Sequence, residues 1–198
     1  MKYLLVFLFI SSIHPFANAQ KVNPIDYYYQ IPETPTEYTA TNTVARMVDG
    51  LGFRYYWASE GLRPEDLAYK PSEEARTIEE TLDHILSLST VIINSVTNRP
   101  NVRPVEAVEL TYEEKRAKTL DNIKQSSEIL KNSSAKDLES FNLVFQSPKN
   151  TSEYPFWNQI NGPISDAIWH VGQVVSLRRS AGNPFDSKVS LLSGKRRD

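Results

Sequence analysis

Three histidines occur in the chain, and two of them lie in segments with a helical pattern. His84 belongs to one such segment, and His170 belongs to another, in which it follows Asp166 at a spacing of i and i+4. Side chains at that spacing project from the same face of a helix. A carboxylate and an imidazole placed in this way are candidate ligands of a divalent metal ion, and a third ligand from a facing helix would complete a three-ligand site.

The segment around His170 lacks the charged residues of a solvent-facing helix. No Lys, Arg or Glu occurs from Ile164 to Leu177, and Trp169 flanks the polar stripe that carries Asp166 and His170. We therefore expect this helix to be buried on nearly all sides. Its two polar side chains then need buried partners, because a buried polar group without a hydrogen bond is costly.

Spacing alone leaves two simpler explanations open. His84 can be a surface histidine, or a packed one whose hydrogen bonds are satisfied. Asp166 can interact only with the dipole at the start of its own helix. A single D-x-x-x-H pattern is common by chance, so it indicates a metal site without excluding these alternatives.

Three stretches of the chain nevertheless resemble a known family. Residues Asp166–Gln173 (DAIWHVGQ), followed by Leu177–Pro184 (LRRSAGNP), resemble the last helix of the DinB-like (DNA-damage-inducible, YfiT-type) metalloenzyme superfamily. Residues Arg76–Ile85 (RTIEETLDHI) resemble the second helix of that family. The resemblance covers roughly residues 43 to 185, and its most specific part is the H-x-G-Q motif that begins at His170.

The resemblance implies a four-helix bundle that binds a divalent ion, zinc or nickel among others, usually through three histidines. One histidine comes from the second helix, and two come from an H-x-x-x-H motif on the last. Asp166 stands in place of the first of those two, so the implied ligand set is His84, Asp166 and His170. Two histidines and one carboxylate also suit iron(II) or manganese. Some relatives transfer low-molecular-weight thiols to electrophiles, with the metal activating the thiol.

Other side chains near these motifs have both a functional and a structural interpretation. Gln173 can hydrogen-bond to a metal-binding histidine or can make a packing hydrogen bond. Arg178 and Arg179 can receive an anionic substrate group or can offset the dipole at the end of their helix. The aromatic cluster Tyr55–Trp57 can line a pocket or belong to the core.

Apolar residues at spacings of three and four predict an all-α domain, a four-helix bundle. Asn42 or Thr43 is the expected N-cap of the first helix, and Thr111 forms a capping box with Glu114 before the third. The apolar stretch Leu143–Phe145 can be an isolated strand, but the simpler interpretation is a loop packed on the bundle. The last helix is expected to have Gly162 as its N-cap and Pro163 in its first turn. The four apolar stripes run over Val44–Leu62, Ile78–Val96, Ala117–Leu130 and Ile164–Val175.

The N-terminal sequence predicts a cleavable signal peptide. Lys2 precedes the apolar run Leu4–Ile10, which is too short to span a bilayer, and Ala17 and Ala19 place a cleavage site after Ala19. We therefore expect an exported protein, in the periplasm or the medium. The expected organisation is a signal peptide over residues 1–19, an extended leader over 20–40, the bundle over 41–185 and a solvated tail over 186–198.

The amino-acid composition excludes several kinds of site and partner. The chain has no cysteine, which excludes disulfides, thiolate metal ligands and a cysteine nucleophile. Its 22 basic and 24 acidic residues give a net charge of −2, and such a surface does not attract nucleic acid. We expect a metal-dependent hydrolase or transferase with a small-molecule substrate and no membrane partner after signal cleavage. A non-catalytic bundle that binds a ligand or partner is the alternative, and a homodimer is left open.

Overall fold

The computed structural model describes residues 26–104 and 108–198, which form a mostly helical protein with a few small strands. The predicted signal peptide, residues 1–19, lies outside the described residues, as does the start of the predicted leader. Within the two described ranges, no helix combines the length and the apolar character that crossing a bilayer requires.

Four long helices dominate the described part of the chain, and their apolar faces enclose a common core. The helices α1 and α3 each pack against both α4 and α6, so every long helix contacts two others. Two short helices lie in the connections. The bounds are α1 Ala40–Ser59, α2 Pro64–Leu67, α3 Ile78–Val96, α4 Tyr112–Lys131, α5 Trp157–Gln159 and α6 Ser165–Ser180.

Threonine residues cap the N-termini of three of these helices, α1, α3 and α4. Thr111 Oγ1 accepts a hydrogen bond from Glu114 N at 3.3 Å, and Glu114 Oε2 accepts one from Thr111 N at 2.8 Å, which confirms the predicted capping box of α4. The predicted cap of α1 at Asn42 or Thr43 is wrong. Thr39 fills that role, because its extended backbone lets the hydroxyl accept from Asn42 N at 3.1 Å.

A small three-stranded sheet corrects the all-α prediction. Its central strand β2, Leu143–Gln146, pairs in parallel with β1, Asn101–Val102, and antiparallel with β3, Thr151–Tyr154. The stretch Leu143–Phe145, predicted as a loop, is therefore a strand. Its backbone polar groups find partners on both sides, and Asn101 Nδ2 also donates to Val144 O at 3.1 Å. The sequence signal was weak because the strand is short and its antiparallel partner is polar.

The entry into α6 also differs from the prediction. Gly162 and Pro163 do not form an N-cap and first turn; they lie in a turn of π-helix, Ile160–Ile164, that joins α5 to α6. The backbone of Gly162 departs from helical geometry, with φ −94° and ψ −107°, and this produces a kink. The Ser165 hydroxyl donates to Ile160 O at 2.6 Å across it. The chain therefore reaches Asp166 through a structured turn.

The described part of the leader packs on the helices. Tyr28 is fully buried, and its hydroxyl donates to Asp49 Oδ1 at 3.1 Å. The ring lies directly against Gly52, where any Cβ would overlap it. Lys131 forms an ion pair with Asp49 at 2.7 Å. Tyr28 thus ties the leader to both α1 and α4.

The C-terminal residues, expected as a solvated tail, form a short hairpin instead. Its strands β4, Val189–Ser190, and β5, Lys195–Arg196, pair antiparallel. Arg196 forms an ion pair with Asp186 at 2.8 Å. The backbone of Ile31 in the leader donates to Gly194 O at 2.8 Å, so the hairpin and the leader are joined.

Candidate metal centre

The three predicted metal ligands come from two helices that pack against each other. His84 lies on α3, whose N-terminus is fixed by a capping box between Thr77 and Glu80, with bonds of 3.0 and 2.8 Å. Asp166 and His170 lie on α6. Contact between α3 and α6 brings the side chains of both helices to one place.

The structure brings the three side chains together. One ligand atom from each lies within 4.8 Å of the other two. His84 Nε2 is 3.5 Å from Asp166 Oδ2, and His170 Nε2 is 3.3 Å from Asp166 Oδ1. The imidazole rings meet edge to face, with centroids 4.6 Å apart. All three side chains are partly buried, so the cluster is held by packing and still reaches solvent.

This arrangement could hold one metal ion. Atoms that bind one ion tetrahedrally at about 2.1 Å are about 3.4 Å from one another. Both carboxylate–imidazole distances are close to this value, although each involves a different oxygen of Asp166. Binding of one ion would draw the three ligand atoms closer than their present spread of up to 4.8 Å. Two neutral imidazoles and one carboxylate leave one positive charge on a divalent ion, and they suit zinc, nickel, iron(II) or manganese.

A hydrogen bond between His170 and Gln173 sets the proton position on the imidazole. Nδ1 of His170 lies 2.7 Å from Gln173 Oε1. Because an amide oxygen can only accept, Nδ1 is the nitrogen that donates in this contact, and Nε2 of a neutral ring is then the nitrogen free to bind a metal ion. Nε2 lies 3.3 Å from Oδ1 of Asp166. Either a proton on Nε2 or a metal ion that binds both atoms would make this contact favourable.

The pKa of His84 favours its neutral form. Burial lowers this pKa below its usual value, and the neighbouring His170 and Arg76 lower it further, while Asp166 acts in the opposite direction. His84 is therefore neutral at pH 7, and its contact with Asp166 is not an ion pair there. A neutral imidazole is the form that binds a metal ion.

A cleft opens beside the cluster. It has a volume of about 640 Å³ and lies between the residues that precede α3 and one face of α6. His170 is part of both the cluster and the cleft wall. Such a volume suits a small molecule. The remaining lining residues are Pro71, Ala75, Arg76, Thr81, Trp169, Gly172, Gln173, Ser176 and Leu177.

The prediction that α6 is buried on nearly all sides is wrong. Its buried residues form one stripe, and Trp169 is 70% exposed on another side. The exposed side of the segment carries Trp169, Gly172 and Gln173 in place of charged residues, and these three line the cleft. The absence of charged side chains from this segment predicted burial, but a helix face that lines a cleft can lack them too.

The other candidate residues fall into two groups. Gln173 contacts a predicted ligand, as the functional interpretation expects. Arg178 is buried and hydrogen-bonds to the carbonyl oxygens of Trp57 and Ala58 at 3.1 and 2.9 Å, so it serves packing. Arg179 is exposed. Tyr55–Trp57 belong to the core and do not line the cleft.

The sequence assigned no function to Arg76 and Trp169, two residues of the cleft wall. Arg76 was noted only as part of a family-like segment, and Trp169 only as a flank of the polar stripe. Trp169 precedes His170 directly, and a tryptophan beside a candidate ligand was the available signal. Arg76 lies just before the cap of α3, and its position facing α6 had no local signal.

The resemblance to the DinB-like superfamily rests on the residues of α3 and α6 that surround this cluster. Those motifs contain His84, Asp166 and His170, the three side chains that lie together in the structure. Comparison of the whole chain with known proteins finds no matching family model, no matching curated protein and no matching solved structure.

Proposed function

We propose that the protein is a divalent-metal-dependent enzyme, a hydrolase or a thiol or other group transferase, with a DinB-like four-helix bundle as its scaffold. Its metal ligands are His84, Asp166 and His170. The observation that carries the proposal is the convergence of one ligand atom from each of these side chains to within 4.8 Å, at the edge of an accessible cleft. A cation bound by these atoms would be within reach of a substrate in the cleft.

The protein groups have separate tasks in this proposal. Gln173 holds the ring of His170 so that Nε2 faces the ion site. Asp166 supplies negative charge, and His84 joins α3 to the site. When bound, a divalent ion with three protein ligands keeps open positions, and it supplies Lewis-acid chemistry for a substrate in the cleft. No separate general base is assigned.

We also propose that the enzyme is exported and acts on a small molecule, with neither nucleic acid nor membrane as a partner. Support for export comes from the N-terminal sequence, where Lys2 and Leu4–Ile10 precede the A-x-A site. The low net charge argues against binding to phosphate polymers. Oxygen and nitrogen ligands suit an exported site because they do not form disulfides.

The test is metal content, measured by inductively coupled plasma mass spectrometry on purified mature protein. Wild type is compared with His170→Ala and with Asp83→Asn, a matched control. Asp83 adjoins His84 in the chain but pairs with Lys115 at 2.8 Å, outside the cluster. Each protein is also incubated with zinc, nickel, manganese or anaerobic iron(II) and desalted.

We expect close to one equivalent of one of these metals in wild type and in Asp83→Asn, and almost none in His170→Ala. The metal retained best identifies the ion and selects the reactions to assay. Absence of metal from wild type after every incubation would overturn the enzyme proposal.

A second cavity favours the alternative, an exported bundle that binds an apolar ligand without catalysis. This cavity, of about 790 Å³, is lined by Val44, Met47, Phe156 and the 77% exposed Trp157, and by none of the three metal-ligand candidates. Nile red fluorescence, compared between wild type and Trp157→Ala, tests it. Binding by metal-free wild type that the substitution weakens would support this alternative.

A further inference from the structure

The cleft beside the metal centre has two chemically different parts. Pro71, Ala75 and Leu177 contribute apolar surface, and Trp169 adds a large indole. Arg76 contributes a guanidinium group, and short polar side chains complete the wall. A ligand that fills such a cleft needs an apolar body and a group that matches the arginine.

Arg76 has no ionic partner in the part of the chain that the structure describes. It contrasts with Arg116, which pairs with Glu60 at 2.6 Å, and with the Arg63–Asp66 pair at 2.9 Å. Guanidinium groups bind carboxylate and phosphate groups through two parallel hydrogen bonds. An unpaired one in a cleft wall is therefore a ready receptor for an anion.

Trp169 is exposed where a tryptophan is usually covered. Its exposed fraction is 70%, whereas Trp57 in the core is 7% exposed. The residue lines the same cleft as His170, so a ligand in the cleft can contact the indole and reach the candidate metal centre. A planar or apolar ligand packed on this ring would bury surface that now faces water.

We propose that the cleft binds a small molecule with a planar or apolar body and one anionic group, the body packing on Trp169 and the anion pairing with Arg76. This inference rests on the proposed function, because it takes the ligand to be the substrate of the metal centre. The volume of about 640 Å³ admits a molecule of one or two rings. Carboxylate and phosphate share the required chemistry.

The experiment uses two probes that differ in charge. One is 2-naphthalenesulfonate, an anion that coordinates metals poorly, and the other is methyl 2-naphthyl sulfone, which is neutral and similar in shape. Isothermal titration calorimetry measures their binding to metal-loaded wild type, Arg76→Gln, Trp169→Ala and Arg179→Gln. Arg179 is an exposed arginine of α6 outside the cleft, so its variant controls for net charge. Titrations with 2-naphthoate and 2-naphthyl phosphate then show which anion is preferred.

We expect Arg76→Gln to weaken sulfonate binding by about tenfold and to leave sulfone binding unchanged. Trp169→Ala should weaken both probes, and Arg179→Gln neither. Equal sulfonate binding by wild type and Arg76→Gln, or no preference of wild type for the sulfonate, would overturn the inference. Metal content is measured on the same samples. If wild type lacks metal but still binds the sulfonate more tightly than Arg76→Gln does, the enzyme proposal is refuted and the anion-binding inference stands.

Discussion

The hydrogen bond from His170 Nδ1 to Gln173 Oε1 places the proton on the nitrogen that faces away from the metal centre. In the neutral ring, Nε2 is then the nitrogen that can bind a metal ion, and it lies beside Asp166. A histidine without such a partner populates both tautomers and can rotate about its side-chain bonds. Gln173 therefore prepares a metal ligand without itself contacting the ion.

Replacing Gln173 with Leu should reduce metal affinity by about 10-fold to 100-fold, because the ring of His170 loses its orientation while every ligand atom is kept. Affinity is measured by competition with a chromophoric chelator. Ser176→Ala is the control, since Ser176 lines the same cleft but bonds to the carbonyl oxygen of Gly172 rather than to a histidine. Equal affinities for wild type and Gln173→Leu would show that packing alone orients the ring.

At the scale of elements, Arg178 connects the ends of two helices. Its guanidinium hydrogen-bonds to the carbonyl oxygens of Trp57 and Ala58 in the last turn of α1, and to the carbonyl oxygen of Asn183 beyond α6. The last carbonyl groups of a helix have no partner within it. Arg178, in α6, thus supplies hydrogen-bond donors to the last carbonyl groups of α1. These bonds fix the position of the end of α6 relative to α1.

We expect Arg178→Leu to lower the free energy of unfolding by about 3 kcal/mol. The substitution keeps much of the apolar stem but leaves buried carbonyl oxygens without a donor. Urea denaturation followed by circular dichroism provides the measurement. The control Arg179→Leu, at an exposed site, should change stability by less than about 0.5 kcal/mol. Similar losses in both variants would mean that the hydrogen bonds to α1 contribute little.

Most of the long helices could be predicted from the sequence, because the apolar periodicity of an amphipathic helix repeats over several turns. The periodicity of α3 and the capping box of α4 are of this kind, and both appear in the structure. Convergence of His84 with Asp166 and His170 was also predicted from spacing and resemblance. The strand Leu143–Gln146 was missed because it is short, its parallel partner Asn101–Val102 is distant in the chain, and its antiparallel partner Thr151–Tyr154 carries no apolar alternation.

The exposed face of α6 was missed for a different reason. Trp169 is usually a core residue type, and its exposure depends on the cleft that residues 71–76 form against α6. That cleft results from tertiary packing, which local patterns do not describe. The same holds for Arg178, whose acceptors lie in α1.

At the scale of the whole molecule, Asp66 links α2 to the segment that follows α6. Its carboxylate accepts hydrogen bonds from Arg63 at the start of α2 and from Asn183 beyond α6, and it is fully buried. Hydrogen bonding by Arg63, helped by Asn183, lowers the pKa of Asp66 well below its usual value, although burial opposes the shift. The ionised form is therefore the one that the fold stabilises.

This shift predicts a loss of stability in acid. Because the folded-state pKa of Asp66 is below the unfolded one, its contribution is fully present above the unfolded pKa of about 3.8 and is lost as pH falls towards the folded value. Asp66→Asn should be less stable than wild type at neutral pH, and the difference should shrink below pH 4. Urea midpoints between pH 3 and 7 measure it. A difference that does not change with pH would contradict an ionised Asp66.

The buried Tyr28 has a consequence for the order in which the chain assembles. Tyr28 is synthesised before the residues it packs on. Its partner Asp49 forms an ion pair with Lys131 in α4, and the nearby Ile31 hydrogen-bonds to Gly194 in the C-terminal hairpin. Its binding surface thus does not exist until most of the protein has been made. We therefore expect the aromatic segment around Tyr28 to stay exposed in a partly synthesised chain until these later parts have been made.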